Sequence, residues 1–226
     1  MNMLDELIRI VDMGGPVIVL LLIMSLVAVA VVLAKIWHFL RAGVGRHAGL
    51  ESALAHWDSG ARAAAVAQAG AASNHLALLG VTAMQAAARP GTDTSALRAR
   101  LNGMAAERLA VLSSGLRVLD SIAQIAPLVG LFGTVVGMIE AFQAMQAVSG
   151  AVDPSVLAGG IWVALLTTAV GLAVAMPASL LVTWFDGRIA REALLAERII
   201  DTVFCAGIGA PGSARPEARP MEAAHA

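Results

Sequence analysis

Apolar residues run without a charged side chain through three stretches of the chain, between Asp12 and Lys35, between Asp120 and Glu140, and between Asp153 and Asp186. A helix crosses the hydrocarbon core of a bilayer with about 20 apolar residues. The first and third stretches clear that length. The second is short between its carboxylates, but Ala141 to Ala147 is nearly apolar and lets the helix extend. The pattern predicts transmembrane helices over residues 16–40, 118–147 and 155–186 of an all-α membrane protein. A soluble protein with three buried core helices is the bland alternative.

The flanks of these spans carry further structure. Before the first, Leu4, Leu7, Ile8 and Val11 share one helical face, with Asp5, Arg9 and Asp12 opposite. This is the pattern of an amphipathic helix lying in the interface over residues 1–15, or of a frayed terminus. Its acidic flank argues against a cleaved signal peptide. Residues 41–117 read as an alanine-rich helical domain, with one helix over 72–91 ended by Pro90-Gly91. The proline-free run after Gly91 predicts one long helix continuing into the second span. Asp153-Pro154 has the form of a cap followed by a proline at the first helical position. The third span is expected to overrun the membrane as a helix over 187–206, with Arg188 and Glu192 paired four residues apart, before a polar, disordered tail over 207–226.

Charge placement gives an orientation. Of 15 basic residues, Arg9 alone precedes the first span and none lies in the loop over 148–154. Seven arginines fall between Arg41 and Asp120, and five follow the third span. The positive-inside rule puts the N-terminus and the 148–154 loop outside, and both basic segments in the cytoplasm. Composition agrees with a membrane protein: 58% of residues are hydrophobic and 14% charged. A net charge of −1 points away from nucleic acid. The lone Cys205 excludes an intrachain disulfide framework. The five histidines are scattered, lack metal-ligand spacing and read as surface or interfacial residues. No cofactor, metal site, phosphate loop or acid–base constellation is expected, and so no enzyme.

The second and third spans form a tight antiparallel hairpin, so residues whose numbers sum to about 302 lie at one depth. Thr134 then pairs with Thr168. Around Thr134, the residues Ala123, Pro127, Gly130, Gly137, Ala141 and Ala144 recur at spacings of three and four. Gly160, Ala164, Gly171, Ala175 and Ala178 do the same around Thr168. Such stripes let helix backbones approach closely in lipid. They serve either hairpin packing alone or the wall of a cavity filled by another helix or water. No acid or base lies deep in any span, and a proton relay needs one. The chain supplies walls and hydroxyls; a carboxylate would have to come from a partner.

The runs "LDSIAQIAPLVGLFGTVVGMIEAF" and "LAGGIWVALLTTAVGLAVAMPASLL" resemble the ExbB/TolQ/MotA proton-channel family, most closely its ExbB branch of biopolymer-transport proteins. The resemblance covers residues 118–186 and extends to the three-span layout. It implies a ring-forming oligomer in the bacterial inner membrane, pentameric in the family, with a periplasmic N-terminus and a cytoplasmic C-terminus. The ring would surround an ExbD-like single-span partner that brings an aspartate, and would energise a TonB-like protein for transport across the outer membrane. The family's two pore threonines fall on Thr134 and Thr168, the pair that the depth rule selects. In that picture the small stripes, with Pro127, Gly130, Gly137, Ala164, Gly171 and Ala175, face the enclosed partner helix. Many relatives carry a glutamate where this chain has Val163. Glu140, at the depth of Trp162, is either an interfacial carboxylate or a relocated entrance group for protons. A TolQ-like motor for envelope maintenance, a non-conducting scaffold ring and a small-solute transporter subunit are the alternatives, the last lacking paired broken-helix repeats.

Overall fold

The computed structural model describes residues 3–89, 93–147 and 154–205. They form α1 (Met3–Ala42), α2 (Ala48–Asp58), α3 (Arg62–Ala71), α4 (Ala77–Ala87), α5 (Thr94–Ser113), α6 (Leu116–Ala147) and α7 (Pro154–Phe204), with no strand among the described residues. Residues 148–153 of the expected loop, with the Asp153 cap, the Pro90-Gly91 break, His225 and the tail over 207–226 lie outside the described residues.

Helices α1, α6 and α7 are each long and apolar enough to cross a membrane. The backbone of α1 leaves helical geometry at Gly15 (φ 59°, ψ −155°), just before Pro16. Proline disfavours the α conformation in the residue before it, so a glycine there absorbs the bend. The 51 residues of α7 make a rod of about 76 Å, against a hydrocarbon core of about 30 Å. More than half of that length therefore lies outside the hydrocarbon core.

The chain divides into two compact units. The first takes Met1–Arg41 with Leu112–Ile189. Its contacts set alanines against larger aliphatic side chains: Leu21 against Ala126 and Ala175, then Ala28 against Leu119, Ile122 and Ala178. Phe39 meets Phe185 edge to face at 5.1 Å. The outer surface of this unit is apolar, with Leu26 71% and Leu180 74% exposed. Rows of exposed leucines on three packed helices are what hydrocarbon solvates and water does not. The chain is a multi-pass, all-α membrane protein.

One expected helix is two. The run after Gly91 breaks at Gly115, which adopts φ +79° and separates α5 from α6. A left-handed turn residue without Cβ carries no steric penalty there, and Ser113-Ser114 before it favours helix ends. The carbonyl of Leu112, in the last turn of α5, accepts a 2.8 Å hydrogen bond from Nζ of Lys35. Lys35 is buried at the end of the first apolar stretch. A cation on an orphaned C-terminal carbonyl also complements the helix dipole.

The second unit takes Ala42–Val111 and the chain from Ala190. Leu50, Trp57, Leu79, Met84, Leu101 and Ile199 are at most 2% exposed and belong to one core. The α7 residues that enter it, Leu195, Ala196, Ile199, Ile200 and Val203, follow helical spacing. Trp57 Nε1 donates to the carbonyl of Val203 at 3.3 Å. Glu192 is also fully buried here, so the expected surface pair with Arg188 is replaced by other contacts. Oε1 of Glu192 accepts from the Gly45 amide at 2.6 Å and lies 2.8 Å from His47 Nε2, and Oε2 accepts from Asn74 at 3.2 Å. Arg188 instead stacks on Trp184 one turn back.

Candidate functional site: the α6–α7 hairpin

The hairpin is held by contact between backbones. A Cβ at Gly130 would lie 2.9 Å from the carbonyl oxygen of Thr167, and one at Gly171 would lie 2.7 Å from that of Ala126. Gly137 faces Ala164, and Gly160 faces Ala141. Residue numbers of the facing pairs Gly130–Thr168, Gly133–Thr167, Gly137–Ala164 and Ala141–Gly160 sum to 298–301, close to the register expected for the hairpin. Gly130, Gly137, Ala164 and Gly171 thus lie in the seam between α6 and α7 of one chain. Ala175 is buried where α1 packs, beside Leu21 and Ala126. Pro127 is half-buried.

Three hydroxyls cluster along this seam. Thr168 Oγ1 donates to the Gly130 carbonyl at 3.1 Å. Thr167 Oγ1 lies 3.1 Å from the same carbonyl and 2.7 Å from that of Ala164, one donor shared between two acceptors. Thr134 Oγ1 donates to the Leu131 carbonyl at 2.6 Å. Thr167 is buried at 2% exposure and was not singled out from sequence. The tandem Thr167-Thr168 was the available signal, since neighbours sit about 100° apart on a helix and only one of them faces outward.

Position relative to α1 separates these groups. α1 packs against Ala126, Val129, Val170 and Val174, and a Cβ at Gly133 would meet Val17 at 2.9 Å. Thr134 stands about 100° round α6 from Gly133, and Thr168 about 100° round α7 from Thr167. Because the helices are antiparallel, both rotations lead to the same side, the face of the hairpin away from α1. The two threonines are brought to one level on one face. Glu140 is exposed and seven residues beyond Gly133, hence nearly in line with it, on the α1 side. The structure does not group Glu140 with the threonines.

The chemistry open to the threonine face follows from its hydrogen bonds. Each hydroxyl proton is committed to a backbone carbonyl of its own chain, so what remains available is the oxygen lone pairs. Such oxygens accept from a protonated carboxyl or a water but do not ionise themselves. Among the described residues no group of His, Cys, Asp and Glu could hold a metal ion. Two of the histidines read as surface residues sit instead at Glu192 in the second unit: the His47 side chain is 25% exposed and that of His75 9%.

Residues 63–198 match the MotA/TolQ/ExbB proton channel family. Biopolymer transport protein exbB1 of Vibrio cholerae is 48% identical over 83 residues, 35% of this chain and 36% of that protein. The Tol-Pal system protein TolQ of Pseudomonas aeruginosa is 36% identical over 107 residues, 44% of this chain and 45% of that protein. A putative biopolymer transport protein, ExbB-like 1, of Synechocystis is 29% identical over 179 residues, 77% of this chain and 67% of that protein. The chain thus spans about a third of the Vibrio protein's length and less than half of the TolQ protein's. With three apolar helices, a glycine-seamed hairpin and more than half of its residues inside the family match, the chain belongs to the MotA/TolQ/ExbB proton channel family.

Proposed function

We propose that the chain is an ExbB-like subunit of an inner-membrane, proton-driven motor. In this reading copies of the chain form a ring around a single-span, ExbD-like partner helix, and the motor drives a TonB-like protein that energises transport across the outer membrane. The observation that carries the reading is the pair Thr134 and Thr168, level with each other on the hairpin face that α1 leaves open. No ionisable residue lies between Asp120 and Glu140 or between Asp153 and Asp186, so the proton-carrying group comes from the partner. When the partner's carboxyl is protonated it donates to a threonine oxygen; when ionised it turns to water. The hydroxyls steady the neutral form at a depth where these two spans carry no ionisable side chain. In the seam itself, Gly130, Gly137, Ala164 and Gly171 hold the two threonines at fixed spacing, and Pro127 and Ala175 flank them.

Threonine-to-valine changes test this. Thr134→Val and Thr168→Val keep the shape and remove the hydroxyl, so the ring is expected to assemble. Proton flux in liposomes holding the chain and its partner is expected to fall about tenfold for either, the loss of roughly one hydrogen bond. Serine at the same positions restores flux. Glu140→Gln, on the other side of the hairpin, is expected to leave flux unchanged. Wild-type flux in both valine variants would reduce the threonines to packing groups.

A TolQ-like role is the second reading, supported by the 36% identity over 107 residues to the Pseudomonas TolQ protein. Loss of receptor-dependent nutrient uptake on deletion supports the ExbB role; loss of envelope integrity supports the TolQ role.

Orientation rests on the arginine bias and is tested at Cys205, which is exposed next to the end of α7. A membrane-impermeant thiol reagent is expected to label it only after cells are opened. Labelling in intact spheroplasts would invert the topology.

A further inference from the structure

Towards the C-terminal end of α1, the helices α1, α6 and α7 leave a recess of about 210 Å³ on the outer surface of the first unit. Its walls include Val29 and Leu33 of α1 and Ala173, Pro177 and Leu181 of α7, with Ser25 a rare polar group among them. An apolar cavity of ~150 Å³ stays dry and takes a benzene molecule, so a recess with these apolar walls suits a hydrocarbon chain better than ordered water. Residues 173, 177 and 181 recur every four residues and share one face of α7. Continuing along that face come Trp184 and Arg188. Trp184 is 47% exposed, and the Arg188 guanidinium carbon lies 5.1 Å from its ring centroid.

Three observations point to an anion at Arg188. Its Nε is buried and donates to no acceptor among the described residues. The nearest acid in sequence, Asp186, lies about 160° round the helix. The Phe39–Phe185 contact sets Trp184 level with the last turn of α1, where the chain leaves the hydrocarbon. Tryptophan favours that interface, and arginine one turn further out meets phosphates.

We propose that the recess and Arg188 form one phospholipid site. An acyl chain lies along Ala173, Pro177 and Leu181, the glycerol region lies against the Trp184 ring, and the phosphodiester accepts hydrogen bonds from the Arg188 guanidinium. The occupant is a lipid of the surrounding bilayer, because head and tail contacts follow each other along α7 in the order in which a lipid presents them. The site fastens the outer side of the subunit while the opposite face of the hairpin remains free.

The test is a titration of the full-length chain, in mild detergent, with phosphatidylglycerol, read by native mass spectrometry. Wild type is expected to retain one lipid per chain. Arg188→Gln and Ala173→Phe, which fills the recess, are expected to bind about tenfold more weakly, as for loss of a charge-assisted contact or of the tail slot. Arg188→Lys keeps most of the binding. Arg41→Gln, which removes the other arginine stacked on a tryptophan at this end of the unit, leaves it unchanged. Inorganic phosphate does not compete. Equal binding by wild type, Arg188→Gln and Ala173→Phe overturns the site. So does equal weakening by Arg41→Gln, which would make the effect general charge attraction. So does equal affinity for diacylglycerol, which lacks the phosphate. Disulfide-linked copies formed in membranes by Ala173→Cys would assign the recess to a second copy of the chain and also overturn it.

Discussion

Replacing Gly171 by leucine is expected to abolish recovery of folded protein in mild detergent, and Gly171→Ala to lower its thermal midpoint measurably. The reason is backbone proximity. A Cβ at this position would sit 2.7 Å from the Ala126 carbonyl oxygen and 3.1 Å from the Gly130 Cα. Neither is the end of a flexible side chain, so α6 and α7 must separate. Overpacking of a tight core costs roughly 1–3 kcal/mol and occasionally more. Here separation would also stretch the bonds from Thr167 and Thr168 to Gly130, since all three share the seam. The matched control is Gly159→Ala in the same helix, where an added Cβ meets nothing within 4 Å. That change is expected to be neutral or stabilising, because alanine is favoured over glycine in a helix by about 1 kcal/mol. Wild-type yield and melting for Gly171→Leu would show that the seam is loose and that the small residues have another purpose.

How far the sequence carried these conclusions differs from element to element. The three spans were legible because each is a long run without charge, and membrane helices must satisfy their backbone internally. The hairpin register was legible because both strings of small residues recur at helical spacing on either side of a short loop. The exact meaning of the strings was not. Spacing alone leaves open whether a small face meets its own hairpin partner or an enclosed helix, and the contacts at Gly130, Gly137, Ala164 and Gly171 place them in the seam. The break at Gly115 was hidden in a run with no proline, although Ser113-Ser114-Gly115 is a plain helix-ending composition. The burial of Glu192 is not legible in the sequence. On a helix drawn as a surface rod, a glutamate four residues after an arginine reads as an exposed pair. Its burial depends on Gly45, His47 and Asn74, more than 100 residues away in sequence, and pattern within one helix contains no trace of them.

Glu192→Leu is therefore expected to unfold much of the second unit while leaving α6 in place. Leucine fills nearly the same space but removes every acceptor, so the Gly45 amide and the Asn74 side chain lose their buried partner. Breaking a buried ionic or hydrogen-bonded constellation by deleting one member costs roughly 3–5 kcal/mol. Hydrogen exchange is expected to accelerate in residues 43–50 and 72–80, next to those donors, and to stay slow in residues 116–146. Glu192→Gln separates charge from shape, since its oxygen still accepts from Gly45. Burial by itself raises the pKa of Glu192, but the hydrogen bonds from His47, Gly45 and Asn74 and the field of His75 outweigh it, and the net shift is downward. Glu192 lies 38 residues into α7 from Pro154, about 57 Å along the rod and outside the membrane. A carboxyl held below its ordinary value stabilises the fold at any pH above the ordinary carboxylate range, about 4.3 for glutamate, and that stabilisation is lost as pH falls through the lowered value. Wild type is thus expected to lose thermal stability on acidification from neutral pH into and below the carboxylate range. Glu192→Gln starts less stable at neutral pH and loses less over the same interval. Parallel pH profiles for the two proteins, or unchanged exchange in Glu192→Leu, would mean that the buried carboxylate is not what joins α7 to the Gly45 and Asn74 loops.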